Sequence, residues 1–112
     1  MKISFDFDST LAEERTQRLA KKLIQEGHEI WITTSRVDDE LGRPQWNADL
    51  YRVAKDLNIP RERIQITNGA AKWQFLTGFD IHFDDSQIEI ESIEENLEEC
   101  IGVLILDPEF IN

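Results

Sequence analysis

Ile3, Phe5 and Phe7 alternate with Lys2, Ser4 and Asp6, the period-two pattern of a strand with one buried face, so residues 2–7 are predicted as a strand. Leu11, Leu19, Leu23 and Ile24 then fall at helical spacings among Ala, Lys, Glu and Gln, and Gly27 stands where a helix C-cap glycine belongs. Residues 29–33, EIWIT, predict a second strand. A loop follows from about Ser35 to Gln45, with Gly42 and Pro44. Trp46, Leu50, Val53, Ala54 and Leu57 next form an apolar helical stripe that Pro60 ends. Residues 63–67, RIQIT, predict a third strand, and a short helix carrying Lys72, Phe75 and Leu76 is closed by Gly78. Residues 80–84, DIHFD, predict a fourth strand; Ile93 and Leu97 mark another helix. The last strand is IGVLILD, apolar on both faces as a buried parallel strand tends to be.

The order βαβαβαβαβ predicts an α/β fold: a Rossmann-like three-layer sandwich with a five-stranded parallel sheet and helices on both faces. A length of 112 residues suits one domain, 1–112. No apolar run approaches the ~20 residues of a membrane span, and the first residues lack the apolar core of a signal peptide. Cys100 is the single cysteine, which excludes an internal disulfide and fits a cytoplasmic setting.

Charge narrows the partners. Twelve Lys and Arg against 23 Asp and Glu give a net charge of −11, which disfavours a nucleic-acid partner because phosphate backbones are gripped by basic stripes. A short phosphorylated substrate remains compatible, since a metal ion can supply local positive charge. Glu89, Glu91, Glu94, Glu95, Glu98 and Glu99 crowd one segment and read as a solvated helix face.

In an open parallel sheet the ligand site lies beyond the carboxyl ends of the strands. There the first strand delivers Asp6, Asp8 and Thr10, and the second Thr33, Thr34, Ser35 and Arg36. Thr67, Asn68 and, shortly beyond, Lys72 follow the third, while the fourth brings Asp84, Asp85 and Ser86. Carboxylates gathered this closely repel unless a cation neutralises them. An all-oxygen set suits a hard cation, with Mg²⁺ the first choice because it also accepts phosphate oxygens. The expected chemistry is phosphoryl transfer: one carboxylate attacks phosphorus, and a second handles the proton.

These residues resemble the four signature motifs of the haloacid dehalogenase superfamily of phosphohydrolases, in order over residues 3–86. DFDST resembles the first motif and IWITTSR the second; Lys72 is similar to the third-motif lysine, and IHFDDS resembles the fourth. The resemblance implies a Mg²⁺-dependent phosphomonoesterase working through an aspartyl-phosphate. Asp6 would be nucleophile and metal ligand, and Asp8 general acid/base, binding the metal through its backbone carbonyl. Thr34, with Thr33 as the competing choice, would hold the phosphoryl group, Lys72 would steady it, and Asp84 and Asp85 would complete the metal site. Asp85 is slightly favoured over Asp84 as the direct ligand. Ser9 departs from the family, where glycine is common. The gaps between motifs hold one helix each, so the chain resembles a capless member. In the family such members often act on large substrates or close the site with a partner subunit, here a second copy of the chain. The alternatives are a catalytically idle phosphate- or metal-binding interaction protein on the same fold, or a phosphatase subunit completed by a partner chain.

Thr10, Ser35 and Arg36 are candidate substrate contacts. Arg36 is open between gripping a phosphate and pairing with Asp38 or Asp39. The loop SRVDDELGRPQWN, with Arg36, Arg43 and Trp46, is the candidate for substrate selectivity. Trp46 itself reads as core, His82 as a satisfied core histidine, His28 as a turn residue. Asp107 reads as either site edge or a turn before Pro108.

Overall fold

A computed structural model describes residues 1–39 and 45–106; Gly42, Arg43, Pro44, Asp107 and Pro108 lie outside the described residues. Eight elements carry the fold: β1 (Lys2–Phe5), α1 (Glu14–Gln25), β2 (Glu29–Thr34), α2 (Ala48–Asp56), β3 (Ile64–Ile66), β4 (Ile81–Asp84), α3 (Gln87–Asn96) and β5 (Ile101–Leu104). The strands form one parallel sheet in the order β3-β2-β1-β4-β5, the doubly wound arrangement that the alternating pattern predicts. Among the described residues no helix is long and apolar enough to cross a membrane.

The alternation in each strand sorts the two faces. Ile3, Phe5, Ile30, Ile32, Ile64, Ile66, Ile81 and Phe83 point to one side, where Ala20, Leu23 and Ile24 of α1 and Leu50, Val53 and Ala54 of α2 cover them. Phe5 stacks on Phe83 with ring centroids 4.7 Å apart. Each fully buried side chain of this size contributes about 1.5–3 kcal/mol of transfer free energy. On the other side a smaller core joins Leu76, Phe79, Ile93 and Cys100 to Trp31, Trp73 and Leu97, under α3 and the short helical turn Lys72–Phe75. Helices thus flank both faces. Gly27 ends α1 with φ 93, a left-handed conformation open to glycine at little cost.

Two expectations need correction. β5 is not a buried strand: it forms the sheet edge with β4 as its single neighbour, and Ile101 is 62% exposed. Trp46 is not core either. Helix α2 begins at Ala48, two residues later, so Trp46 stands ahead of the apolar stripe and is 50% exposed.

The winding positions the site. The chain passes outward from β1 to β2 and β3, then returns to the other side of β1 for β4 and β5. β1 and β4 are neighbours whose onward connections diverge, which opens a crevice at their carboxyl ends. Phe5 is level with both Ile32 and Phe83, so the next residues, Asp6, Thr33 and Asp84, come up side by side.

Candidate active site

β1 ends at Asp6 because the chain turns there. Leu11 N–H returns to the Asp6 carbonyl (3.0 Å) and Ala12 N–H to that of Phe7 (2.8 Å), making a wide turn over Phe7–Leu11. Ser9 occupies this turn with φ 60, the left-handed region that glycine enters most easily. The turn sends Phe7 and Leu11 into the core and leaves Asp8 and Ser9 exposed at the rim.

Buried Lys72 is the hub. Its ammonium lies 2.7 Å from Asp6 Oδ1 and 2.7 Å from Asp84 Oδ2. Thr10 Oγ1 lies 3.2 Å from Asp6 Oδ2 and 3.4 Å from Asp85 Oδ1. One hydroxyl proton serves one of these at a time, so Thr10, expected as a substrate contact, braces the two carboxylates. Carboxylate oxygens of Asp6, Asp84 and Asp85 come within 4.8 Å of one another. These hard oxygen donors fit a Mg²⁺-like cation. A cleft of about 250 Å³ opens over them, lined by Asp6, Asp8, Ser9, Ser35, Lys72, Asp84, Asp85, Ser86 and Glu89.

The carboxylates are not equivalent. Burial and the nearby Asp84 charge push the Asp6 carboxyl up to about 7, against the lowering effect of Lys72. Burial acts on Asp84 in the same sense, but hydrogen bonds from His82 and Lys72 and the Lys72 charge outweigh it and hold Asp84 below the ordinary carboxylate range. Lys72 is raised in turn: burial opposes its charge, and the two aspartates more than restore it. Two buried carboxylates sharing one ammonium cannot both ionise freely, and the one with fewer donors keeps the proton. That one is Asp6. A cation in the cleft would supply the missing charge.

Arg36 pairs with Asp8 and Asp49, where the sequence offered Asp38 or Asp39 as ion-pair partners. Nη2 and Nε form a fork on Asp8 (2.7 and 3.0 Å), and Nη1 and Nη2 form a second on Asp49 in the first turn of α2 (2.7 and 2.9 Å). Nη1 also reaches Asn47 Oδ1 at 3.5 Å, so all its N–H donors are committed. The Phe7 ring lies 4.8 Å beneath the guanidinium. Hydrogen bonds to Asp49 and Asp8 raise the Arg36 pKa, and the bond from Arg36 lowers that of Asp49.

Thr34 is fully buried, its hydroxyl accepting the Arg36 backbone N–H at 3.3 Å. Thr33 faces the other side, its hydroxyl 2.8 Å from Gln65 Oε1 and 2.7 Å from Ser4 Oγ. Ser35, the next residue, is the one from this strand end that lines the cleft.

Some participants escape sequence reading. Glu89, read as part of a solvated face, lines the cleft, and its carboxylate accepts the Lys72 backbone N–H at 3.2 Å. It stands in the first turn of α3, next to the strand end, where the N-cap Ser86 could have flagged it. His82 is buried and satisfied, as its sequence position suggests, but one of its partners is Asp84 (Nε2 to Oδ2, 2.8 Å). Burial holds its imidazole below the usual value. Asp49 gave no signal, since its link to Arg36 spans thirteen positions.

A larger hollow of about 490 Å³ lies between α2 and the entry to β3, lined by Tyr51, Lys55, Ile59, Arg61 and neighbours. It sits at the opposite end of the strands and holds no carboxylate. No family model, curated protein or solved structure matches the chain.

Proposed function

We propose that this chain is a Mg²⁺-dependent phosphomonoester hydrolase of the haloacid dehalogenase type, small and without a cap domain. One observation carries the reading. Asp6 and Asp84, at the ends of adjacent β1 and β4, share the Lys72 ammonium with Asp85 beside them, in the crevice where the winding of the sheet reverses.

Asp6, Asp84 and Asp85 would hold the ion, with the Asp8 backbone carbonyl; when bound it supplies charge that favours the ionised Asp6 and neutralises the transferring phosphoryl group. Asp6 attacks phosphorus, forming an Asp6–phosphoryl bond as the ester P–O bond breaks. Asp8, released from the Arg36 fork and protonated from solvent, gives that proton to the leaving oxygen, which departs as the alcohol. Asp8, now a carboxylate, takes a proton from water as the water oxygen attacks phosphorus. The Asp6–phosphoryl bond breaks, inorganic phosphate leaves, and Asp8 is protonated again for the next cycle. Lys72 steadies Asp6 and the phosphoryl oxygens throughout. Arg36 braces Asp8 from the rim, and Asp8 turns from this fork to the leaving oxygen.

A panel of phosphomonoesters assayed with Mg²⁺, with EDTA and with Asp6→Asn tests the reading. Turnover that needs the metal and is lost in Asp6→Asn is expected. Absence of metal-dependent turnover on every ester, or equal turnover by the variant, overturns it in favour of an idle binding protein.

A further inference from the structure

A line of polar side chains crosses the sheet beneath the cleft. From β3 to β4 it runs Gln65, Thr33, Ser4, His82 and then Asp84, with contacts of 2.8, 2.7, 3.0 and 2.8 Å. His82 is 0% exposed, held by Ser4 Oγ at Nδ1 and by Asp84 Oδ2 at Nε2. A carboxylate only accepts, so the proton of this last contact sits on Nε2.

The lone pairs of Asp84 are unequally occupied. Oδ2 receives Lys72 and His82, which uses both of its acceptor positions. Oδ1 receives the Ser86 N–H at 3.1 Å and keeps one position open. The donor on Oδ2 therefore fixes both the rotation of the carboxylate and the oxygen left for a ligand. Outer partners of this kind commonly change metal affinity 10–100-fold when removed.

We propose that His82 is a positioning residue of the cation site: its Nε2–H pins Asp84 Oδ2 beside Lys72, leaving Oδ1 to meet the divalent cation. The inference rests on the cation-binding part of the proposed function. It adds a residue of the IHFDDS stretch to which the resemblance assigns no role, keyed through Ser4 and Thr33 to two further strands.

Glutamine places its amide nitrogen about where the imidazole carries Nε2, whereas asparagine reaches only as far as Nδ1. Mn²⁺ binding to the full chain, followed by electron paramagnetic resonance, is compared for wild type, His82→Gln and His82→Asn. His82→Gln is expected to stay within about threefold of wild type, and His82→Asn to bind about tenfold or more weakly. Unchanged affinity in His82→Asn, or equal weakening in both variants, overturns the positioning role while leaving the cation site standing. A wild type that binds no Mn²⁺ overturns the cation reading and this inference with it. Should His82→Asn not fold, nitrogen-15 NMR of the unsubstituted, metal-free protein decides: a slowly exchanging proton on Nε2 of His82 supports the role, and an unprotonated Nε2 refutes it.

Discussion

Arg36 meets Asp8 side-on, with Nη2 2.7 Å from Oδ1 and Nε 3.0 Å from Oδ2. The same guanidinium grips Asp49, so the residue proposed to move the proton is tethered to the start of α2. Lysine would keep the charge but lose the planar fork. Arg36→Lys is expected to slow hydrolysis of an alkyl phosphate about tenfold, a fraction of the 10²–10⁴ typical of a general acid. With p-nitrophenyl phosphate, whose leaving oxygen needs no proton, the loss should stay under about threefold. Equal losses on both esters would show that Arg36 acts on the phosphoryl group instead of Asp8.

Lys72 neutralises two buried carboxylates, and removing one partner of a buried ion pair costs about 3–5 kcal/mol. Lys72→Met should lose about that much stability in EDTA. Saturating Mg²⁺ should recover part of it, because the cation answers the same repulsion. Urea unfolding with and without Mg²⁺ measures both, and a variant as stable as wild type in EDTA would refute the hub role.

Asp6 makes the cation-free protein respond to pH in an unusual sense. With its carboxyl raised to about 7 from 3.8, the folded chain holds a proton there that the unfolded chain has already released. Stability from this group is present at low pH and is lost as pH rises through about 4 to 7. His82, held low by burial, contributes a slope of opposite sign below its ordinary value of 6.5, so total stability mixes the two. Subtracting Asp6→Asn separates them. In EDTA the variant should gain stability relative to wild type between about pH 4.5 and 8, read from urea midpoints; a constant difference would refute it.

Ser9 holds φ 60 in the turn after β1. A left-handed conformation costs a non-glycine residue roughly 1–2 kcal/mol, part of which glycine returns as unfolded-state entropy. Ser9→Gly should leave stability unchanged or raise it by up to about 1 kcal/mol. Ser9→Val, β-branched at the same φ, should lower it by about 1–2 kcal/mol. Thermal melts of the two variants check the sign.

The strands and the face of each residue could be read from the chain because alternation is local, but their ends could not. β1 stops at Phe5, two residues before the alternation through Phe7 predicts, because the chain turns over Phe7–Leu11. The sheet order and its crevice follow from the βα rhythm. What joins distant positions was less accessible. His82 shares a face with Asp84 by parity alone, yet its links to Ser4, Thr33 and Gln65 depend on which strands are neighbours and in what register. The Arg36–Asp49 fork depends on where α2 begins, which the stripe from Trp46 put two residues early. Apolar content alone also cannot tell an edge strand from a central one, and β5 is the instance.

The polar line beneath the cleft has a bearing on folding as well. It passes from β3 through β2 and β1 to β4, stepping diagonally between Thr33 and Ser4, so its contacts close only when every strand it touches sits in its native register. A slip by one residue turns Ser4, Thr33 or His82 into the apolar side under α1 and α2 and disperses the carboxylates above. Assembly of the proposed cation-binding floor is thereby a test that the sheet has paired correctly, and any affinity for a divalent cation would be a measure of the native alignment itself.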